Sequence, residues 1–227
     1  MYRNSSSYEA NKVREELTPS PLNVRSVYDQ VAQNYDSFYG DERCLEENAE
    51  VMSYMQKSFF SYKEGTNRVD GNVLDIGSGT GLLLDHLSGS IVHPYYIGVD
   101  VSWEMVKVSQ QKHPSYDFIN CDVRQMMGFG NYDYVVALFG SLSYVPLGDA
   151  FDILTRTLSP EGRFMVMLYA NGHSSRILHD QVVNDITFPV TEAEVATEVH
   201  NLGDRLTIQD IYLFGKMKEH LIIKGKK

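Results

Sequence analysis

A glycine-rich segment that follows a short apolar run constrains the fold of this 227-residue chain more than any other feature. It reads Asp75-Ile76-Gly77-Ser78-Gly79-Thr80-Gly81, between the apolar run at residues 72–76 and a leucine-rich stretch at residues 82–87. Glycine lets a backbone turn tightly and approach a ligand closely, and the N-terminus of a following helix offers unpaired N–H groups. The segment therefore predicts a strand, a turn that borders a ligand, and a helix.

The alternation of strand and helix continues beyond this turn. Apolar runs predict further strands at residues 95–99, 116–121, 132–139 and 163–169. Helical spacing of apolar residues predicts helices at residues 102–112 and 150–158. Ser159-Pro160-Glu161-Gly162 is expected to form a turn before the fifth strand. Strands that alternate with helices indicate parallel pairing with right-handed crossovers.

The pattern changes near the C-terminus. Residues 191–202 are expected to be helical, and residues 205–214 and 220–224 are expected to form two strands. The link between these strands is too short for a crossover helix and suits a hairpin. The chain is thus predicted to be an α/β protein with a Rossmann-like, doubly wound sheet of about seven strands. Most strands would be parallel, with an antiparallel strand at the C-terminal end.

The N-terminal part suggests a cover for this sheet. Residues 1–22 are polar, end in Thr18-Pro19-Ser20-Pro21, and are expected to form a flexible arm. Residues 23–70 are expected to form a helical lid, with amphipathic helices over 23–39 and 45–60. Residues 71–227 would then be the core of a single domain. Because open α/β sheets bind ligands at the carboxyl ends of their strands, the lid should cover that edge.

Composition narrows the classes of partner. The formal net charge is −10, whereas nucleic-acid binders usually carry a basic face, so a nucleic-acid partner is not expected. No apolar stretch has the length of a membrane span, and the N-terminus lacks an apolar signal segment, so we expect a cytoplasmic protein without a membrane partner. Cys44 and Cys121 are too few for a disulfide framework or a four-cysteine zinc site. No cluster has metal-ligand spacing, and no metal is expected.

The glycine spacing separates two kinds of Rossmann-like protein. A dinucleotide fingerprint needs a third glycine where this chain has Leu82. Here glycines occupy alternate positions, with Asp75 two residues before the first. This pattern resembles motif I of the class I S-adenosylmethionine-dependent methyltransferases, in which the turn borders the methionine part of the cofactor. Residues 72–224 carry the resemblance, which also includes Asn131-Tyr132-Asp133-Tyr134-Val135-Val136 at the fourth strand.

The resemblance implies S-adenosylmethionine as cofactor and assigns roles to several residues. Asp100 closes the second strand, where a carboxylate can accept the ribose hydroxyls. Asp122 closes the third strand, where the family binds the adenine amino group, and the next backbone N–H binds a ring nitrogen. Tyr28 and Tyr35 match the family's entry helix. The predicted cofactor-binding residues are Tyr28, Tyr35, Asp75, Gly77, Ser78, Gly79, Asp100, Val101, Met105, Asp122, Val123 and Leu138.

The acceptor is less constrained by the sequence. A hydroxyl or amine acceptor can need a base, and Tyr144 and His173 are the candidate catalytic residues, with Tyr169 also suitably placed and His179 more distant. Nucleic-acid N-methyltransferases usually carry an Asn- or Asp-Pro-Pro-aromatic motif after strand four, where this chain has residues 138–141, Leu-Phe-Gly-Ser. We therefore expect methyl transfer to an N- or O-nucleophile of a small molecule, by a monomer or homodimer. A nucleic-acid or protein methyltransferase and a non-catalytic cofactor binder are the alternatives.

Overall fold

The computed structural model describes residues 21–91, 95–126, 130–173 and 187–227. Residues 1–20 of the predicted arm and the candidate His179 lie outside these ranges. The first helix within the described ranges begins at Pro21, so the last two residues assigned to the arm are helical. Among the described residues, no helix has both the length and the apolar character needed to cross a membrane.

Within these ranges three helices precede the sheet, whereas the apolar spacing predicts two, over residues 23–39 and 45–60. They are α1 (Pro21–Val31), α2 (Tyr35–Phe38) and α3 (Glu42–Tyr54), and α3 continues into a π-helical turn at Met55–Phe59. The Asp41 carboxylate caps α3 by accepting a hydrogen bond from the Cys44 backbone N–H at 2.9 Å. This bond satisfies one of the N–H groups that every helix leaves unpaired at its start.

The sheet has seven strands in the order β3-β2-β1-β4-β5-β7-β6. The strands are β1 (Val73–Ile76), β2 (Tyr96–Asp100), β3 (Asp117–Asn120), β4 (Tyr132–Ala137), β5 (Leu158–Tyr169), β6 (Thr207–Phe214) and β7 (His220–Lys226). Among the described residues, the helices between them are α4 (Leu82–Leu87), α5 (Trp103–Lys112), α6 (Leu147–Thr157) and α7 (Glu192–Leu202). The first five strands pair in parallel, and β7 lies antiparallel between β5 and β6. The predicted fold class is confirmed.

One local prediction is wrong. The segment at residues 159–162, expected to be a turn, lies within β5. Glu161 has a φ of +63°, and the pairing of β4 with β5 shifts register here, so the segment is an irregular start to the strand. Its backbone finds partners at the C-terminus, where Glu161 N–H donates to the Lys227 carbonyl at 3.1 Å and Lys227 N–H donates to the Gly162 carbonyl at 3.0 Å. Such distant partners cannot be read from a local Ser-Pro-Glu-Gly pattern.

Apolar side chains form one layer on each face of the sheet and a third cluster over its edge. On β1, Leu74 faces the layer containing α6 and α7, and Val73 faces the layer containing α3, α4 and α5. The third cluster joins the lid to the core and consists of Val24, Val27, Val31, Ala32, Met105, Tyr144 and Tyr169. Each fully buried Val or Met contributes about 1.5–3 kcal/mol. The lid is therefore held mainly by apolar burial above the carboxyl ends of the strands.

Candidate functional site

Two adjoining cavities lie at the carboxyl ends of the central strands. The first, of about 140 Å³, is bordered by all twelve predicted cofactor-binding residues and by Tyr144. The second, of about 270 Å³, is bordered on one side by residues of α3, including Glu47. Its other side includes His173 and His220, the first residue of β7. Residues that line both cavities are Tyr35, Thr80, Leu82 and Phe139. The structure thus brings the predicted cofactor-binding residues together around the first cavity. It places the two candidate catalytic residues in different cavities, Tyr144 in the first and His173 in the second.

The glycine turn is attached to β2 on one side and open to the first cavity on the other. The backbone N–H groups of Gly77 and Ser78 donate to the Val99 carbonyl at 2.7 and 3.0 Å. Gly77 has a φ of +67°, and a Cβ there would lie 2.4 Å from Ser141 Cβ. Gly79 has a φ of +53°, and a Cβ there would have no atom within 4 Å. The first glycine allows close packing, and the second leaves room for a ligand against the backbone.

Asp100 is oriented by two backbone donors at the end of β2. Gly79 N–H donates to Oδ2 at 2.9 Å, and Ser102 N–H donates to Oδ1 at 2.8 Å. Burial raises the pKa of Asp100 to about 6, against the lowering effect of these N–H groups. A carboxylate has about four acceptor positions, so each oxygen can still accept a hydroxyl. The predicted ribose role is compatible with this geometry.

Two further polar groups border the first cavity near the glycine turn. Tyr96 donates its hydroxyl hydrogen to Asp75 Oδ2 at 2.9 Å, and burial raises the pKa of Asp75 to about 7 despite this bond. Ser78 Oγ is buried and has no hydrogen-bond partner among the described residues. Buried polar groups normally have partners, so an unpaired hydroxyl beside a cavity fits a site that binds a polar ligand.

Asp122 has a neighbour that sequence reasoning missed. Arg124 donates from Nε to both carboxylate oxygens, at 3.0 and 3.2 Å, and from Nη2 to Oδ2 at 2.9 Å. Arg124 lines the first cavity together with Asp122 and Val123. The ion pair takes up part of the acceptor capacity of Asp122, so an amino group would share this carboxylate with the guanidinium. In the sequence, the only signal for this ion pair was that Asp122 and Arg124 lie two residues apart.

Tyrosines from the lid and the core meet above the first cavity. The hydroxyl oxygens of Tyr28 and Tyr144 are 2.5 Å apart, so one hydroxyl donates to the other. Burial, with the neighbouring tyrosines, raises the pKa of Tyr144 well above its usual value. Tyr144 therefore keeps its proton at neutral pH, which suits a hydrogen-bonding role better than the role of a base.

Carboxylates on the lid also reach the core, and sequence reasoning missed them. Asp36 Oδ1 accepts from Thr80 Oγ1 at 2.5 Å, and Asp36 Oδ2 accepts from Lys112 Nζ at 3.0 Å. Asp29 Oδ1 accepts from Ser102 Oγ at 2.6 Å. Asp29 and Asp36 are seven residues apart, which would place them on one face of the single helix predicted over residues 23–39, and this spacing was the available signal.

His173 lies in the wall of the second cavity. Its ring stacks on that of Tyr169, with centroids 3.7 Å apart and an interplanar angle of 7°. His220 lies 5.7 Å from both rings, and burial, with the nearby His173 and Arg43, lowers the pKa of His220 to about 3. His220 is therefore neutral at physiological pH. Within the described ranges, no group of three or more His, Cys, Asp or Glu side chains could hold a metal ion.

Comparison with known proteins connects this geometry to a family. Residues 73–162 match the model of a family described as a methyltransferase domain. Over 96 residues the chain is 30% identical to the protein named "Putative methyltransferase 235L" of Invertebrate iridescent virus 6, a match that covers 39% of this chain and 36% of that protein. The match to this curated relative therefore spans about a third of its length.

Solved structures resemble the chain over most of its length. Magnesium protoporphyrin IX methyltransferase from Synechocystis PCC 6803, solved with S-adenosylmethionine, is 16% identical with a TM-score of 0.65, and 91% of this chain and 96% of that chain are covered. The N-methyltransferase NodS from Bradyrhizobium japonicum WM9, solved with S-adenosyl-L-homocysteine, is 14% identical with a TM-score of 0.66, and the coverage is 90% and 98%. Residues 73–162 thus match a methyltransferase domain model, and the chain has the fold of these S-adenosylmethionine-dependent methyltransferases.

Proposed function

We propose that the chain transfers a methyl group from S-adenosylmethionine to an N- or O-nucleophile of a small molecule. One observation carries this proposal: a cavity lined by the complete predicted cofactor set adjoins a second, separate cavity at Tyr35, Thr80, Leu82 and Phe139. Methyl transfer needs two ligands in line, and two cavities that meet at a shared wall provide for both.

The residues of the first cavity fit the cofactor. Asp100 would accept the ribose hydroxyls, Asp122 and Val123 would border the adenine, and Asp75, Ser78 and Gly79 would border the methionine part. At about 140 Å³ this cavity is smaller than typical ligand sites of about 300–1,000 Å³. The lid borders this cavity, and the Tyr28–Tyr144 hydrogen bond is a contact that a lid motion on ligand binding would change.

The chemistry divides between the cofactor and the chain. When bound, S-adenosylmethionine supplies a methyl group on a sulfonium. This methyl group would pass to the acceptor's lone pair, and the electron pair of the broken carbon–sulfur bond would stay on sulfur. The side chains align the acceptor and exclude water. A proton lost by the acceptor goes to water or to His173, which lines the second cavity and is our candidate base.

A small acceptor is favoured because the second cavity lies between the lid and the core. Tyr35, Tyr39 and Arg43, from α2 and the segments around it, form its lid side, and His173 and His220 form its core side. A related fold, the 1,6-didemethyltoxoflavin-N1-methyltransferase of Burkholderia thailandensis, was solved with 1,6-didemethyltoxoflavin bound; it is 19% identical with a TM-score of 0.59. The net charge of −10 also favours a small molecule over a nucleic acid. The proposal includes a cytoplasmic monomer or homodimer.

Calorimetric titration with S-adenosylmethionine, S-adenosylhomocysteine and NAD tests the cofactor. Binding of both sulfur compounds and not of NAD is expected, and the reverse would overturn the proposal. An acceptor screen that records S-adenosylhomocysteine formation would then test catalysis. Product formation with RNA, DNA or protein substrates, and with no small molecule, would favour the alternative class of acceptor. Cofactor binding without turnover of any substrate would favour a non-catalytic binder.

A further inference from the structure

Glu47, on α3, is a buried carboxylate in the wall of the second cavity. Only 8% of the surface of this residue is accessible to solvent. Oε1 accepts a hydrogen bond from the Lys216 backbone N–H at 2.9 Å, and the carboxylate lies against Gly215 in the turn between β6 and β7. Oε2 accepts no hydrogen bond from the residues that the structure describes. A carboxylate oxygen without a protein partner in the wall of a cavity can accept a hydrogen bond from a donor that binds there.

The neighbouring charges do not neutralise Glu47. Arg43, also on α3, has its guanidinium 3.7 Å from the Glu219 carboxylate, which balances its charge. The Lys216 ammonium pairs with Glu46, outside the cavity. Of the three acids Glu46, Glu47 and Glu219, Glu47 is therefore the one that has no cationic side chain within ion-pair distance among the described residues.

The other titratable groups of the cavity add to its negative charge, because two of its carboxylates share one ammonium. Asp36 and Asp85 share the ammonium of Lys112 at 3.0 and 2.7 Å. His220 is neutral at physiological pH because burial lowers its pKa. His86 and His173 are the remaining ionisable nitrogen bases of the lining. The second cavity thus presents more negative than positive charge to an occupant.

Aromatic rings complete the lining. Tyr35 and Tyr39 have ring centroids 5.2 Å apart, and Phe139 and Tyr169 line the same space. Tyrosine and phenylalanine faces attract cations, and carboxylates bind N–H donors, so the two features select the same kind of ligand. A cavity volume of about 270 Å³ suits a compact molecule.

We propose that the acceptor carries an amino group and that the free oxygen of Glu47 binds its N–H. This inference rests on the proposed function, because it takes the second cavity to be the acceptor site. The methylated atom is the one that lies where the two cavities meet, and Glu47 fixes the other end of the molecule. Glu47 is a specificity-determining residue in this arrangement. Acceptors whose corresponding group is a carboxylate or phosphate are rejected by charge repulsion.

Three probes of similar shape test this selection: benzylamine, a cation at neutral pH; benzoate, an anion; and neutral benzyl alcohol. Each is titrated by calorimetry into the protein loaded with S-adenosylhomocysteine. Benzylamine is expected to bind about tenfold or more tightly than benzoate, the scale of one hydrogen bond to a charged group. Benzyl alcohol should lie between them, since it buries the same ring without a charge.

A matched pair of variants assigns the preference to one residue. Glu47→Gln keeps the shape and the Lys216 contact and removes the charge, so it should reduce the benzylamine preference to about threefold or less. Glu46→Gln, its exposed neighbour, should leave the preference unchanged. Retained S-adenosylhomocysteine binding and an unchanged melting temperature show that each variant is folded.

The outcomes separate this inference from the proposed function. If the wild-type protein does not bind S-adenosylhomocysteine, the proposed function itself fails. If it does bind that product, the inference is overturned by benzoate binding as tightly as benzylamine or by no detectable binding of benzylamine at millimolar concentrations. It is equally overturned by a folded Glu47→Gln protein with an undiminished preference. If Glu47→Gln does not fold, the relative affinities of the wild-type protein for benzylamine and benzoate decide whether the inference stands.

Discussion

Asp29 on the lid and Ser102 at the start of α5 are joined by a hydrogen bond of 2.6 Å from Ser102 Oγ to Asp29 Oδ1. The same carboxylate oxygen accepts from the Glu104 backbone N–H at 3.2 Å. Ser102 also donates its own backbone N–H to Asp100, the predicted ribose ligand. The lid and the cofactor carboxylate therefore share one residue, and a lid carboxylate lies at a helix N-terminus, where negative charge is stabilising.

Asp29→Asn should loosen the lid and weaken S-adenosylhomocysteine binding by about 1–2 kcal/mol, the net value of one or two ordinary hydrogen bonds. We also expect faster hydrogen exchange across residues 24–60 in the ligand-free protein. Calorimetry measures the first effect, and exchange followed by mass spectrometry measures the second.

Arg25→Gln is the matched control, because it removes the ion pair that Arg25 makes with Asp29 at 3.3 Å and leaves the Ser102 contact intact. This pair is partly exposed and should contribute little. Equal effects of the two substitutions would show that the Ser102 contact does not hold the lid.

Much of the first cavity could be predicted because its residues follow from chain topology. Carboxyl ends of parallel strands meet at one edge, so Asp75, Asp100 and Asp122 had to lie near one another once the strands were assigned. The short link before β7 likewise fixed that strand as antiparallel.

The contacts that close the site could not be predicted, since they join residues far apart in sequence. Asp29 and Asp36 have the appearance of a solvated helix face, and their partners Ser102 and Thr80 are 73 and 44 residues away. Glu47 is similar, because its burial depends on the turn at Gly215. Helical periodicity tells which residues share a face and not what that face meets.

Asp100→Ala should weaken cofactor binding by about 1.5–3 kcal/mol, since it removes an acceptor for the ribose hydroxyls and the anchor of the Gly79 and Ser102 N–H groups. Asp70→Ala is a suitable control, because Asp70 is an exposed carboxylate just before β1, at the opposite edge of the sheet. Calorimetric titration of both variants tests the assignment. An unchanged dissociation constant in folded Asp100→Ala protein would remove Asp100 from the site.

Gly79→Val should abolish detectable cofactor binding. A branched side chain at a φ of +53° is strained, and it would project into open space bordering the first cavity. Gly65→Val is the control: Gly65 has a φ of +71° and also has no neighbour within 4 Å of a Cβ, but it does not line either cavity. Gly65→Val reproduces only the backbone strain, so we expect this variant to bind the cofactor with native affinity. Native affinity in a folded Gly79→Val protein would show that the turn does not contact the cofactor.

The raised pKa of Asp75 predicts how the stability of the ligand-free protein depends on pH. Burial raises its pKa to about 7, although the Tyr96 hydrogen bond opposes the shift, whereas an aspartate in an unfolded chain has a pKa of about 3.9. Between these values the folded protein binds more protons than the unfolded chain, so this group makes stability fall as pH rises from about 4 to about 7. Asp100, whose pKa is raised to about 6, acts in the same direction.

Asp75→Asn removes the titration and can keep the Tyr96 contact, because its amide oxygen still accepts a hydrogen bond. We expect a higher melting temperature than wild type at pH 7.5, equivalent to at most about 4 kcal/mol in the free energy of unfolding, and a smaller gain at pH 5. Scanning calorimetry without ligand, from pH 5 to 8, measures both. Asp70→Asn, on an exposed carboxylate, should follow the wild-type profile. If the gain from Asp75→Asn does not grow between pH 5 and pH 7.5, then Asp75 is ionised in the folded protein over this whole range and its buried carboxylate has a stabilising partner.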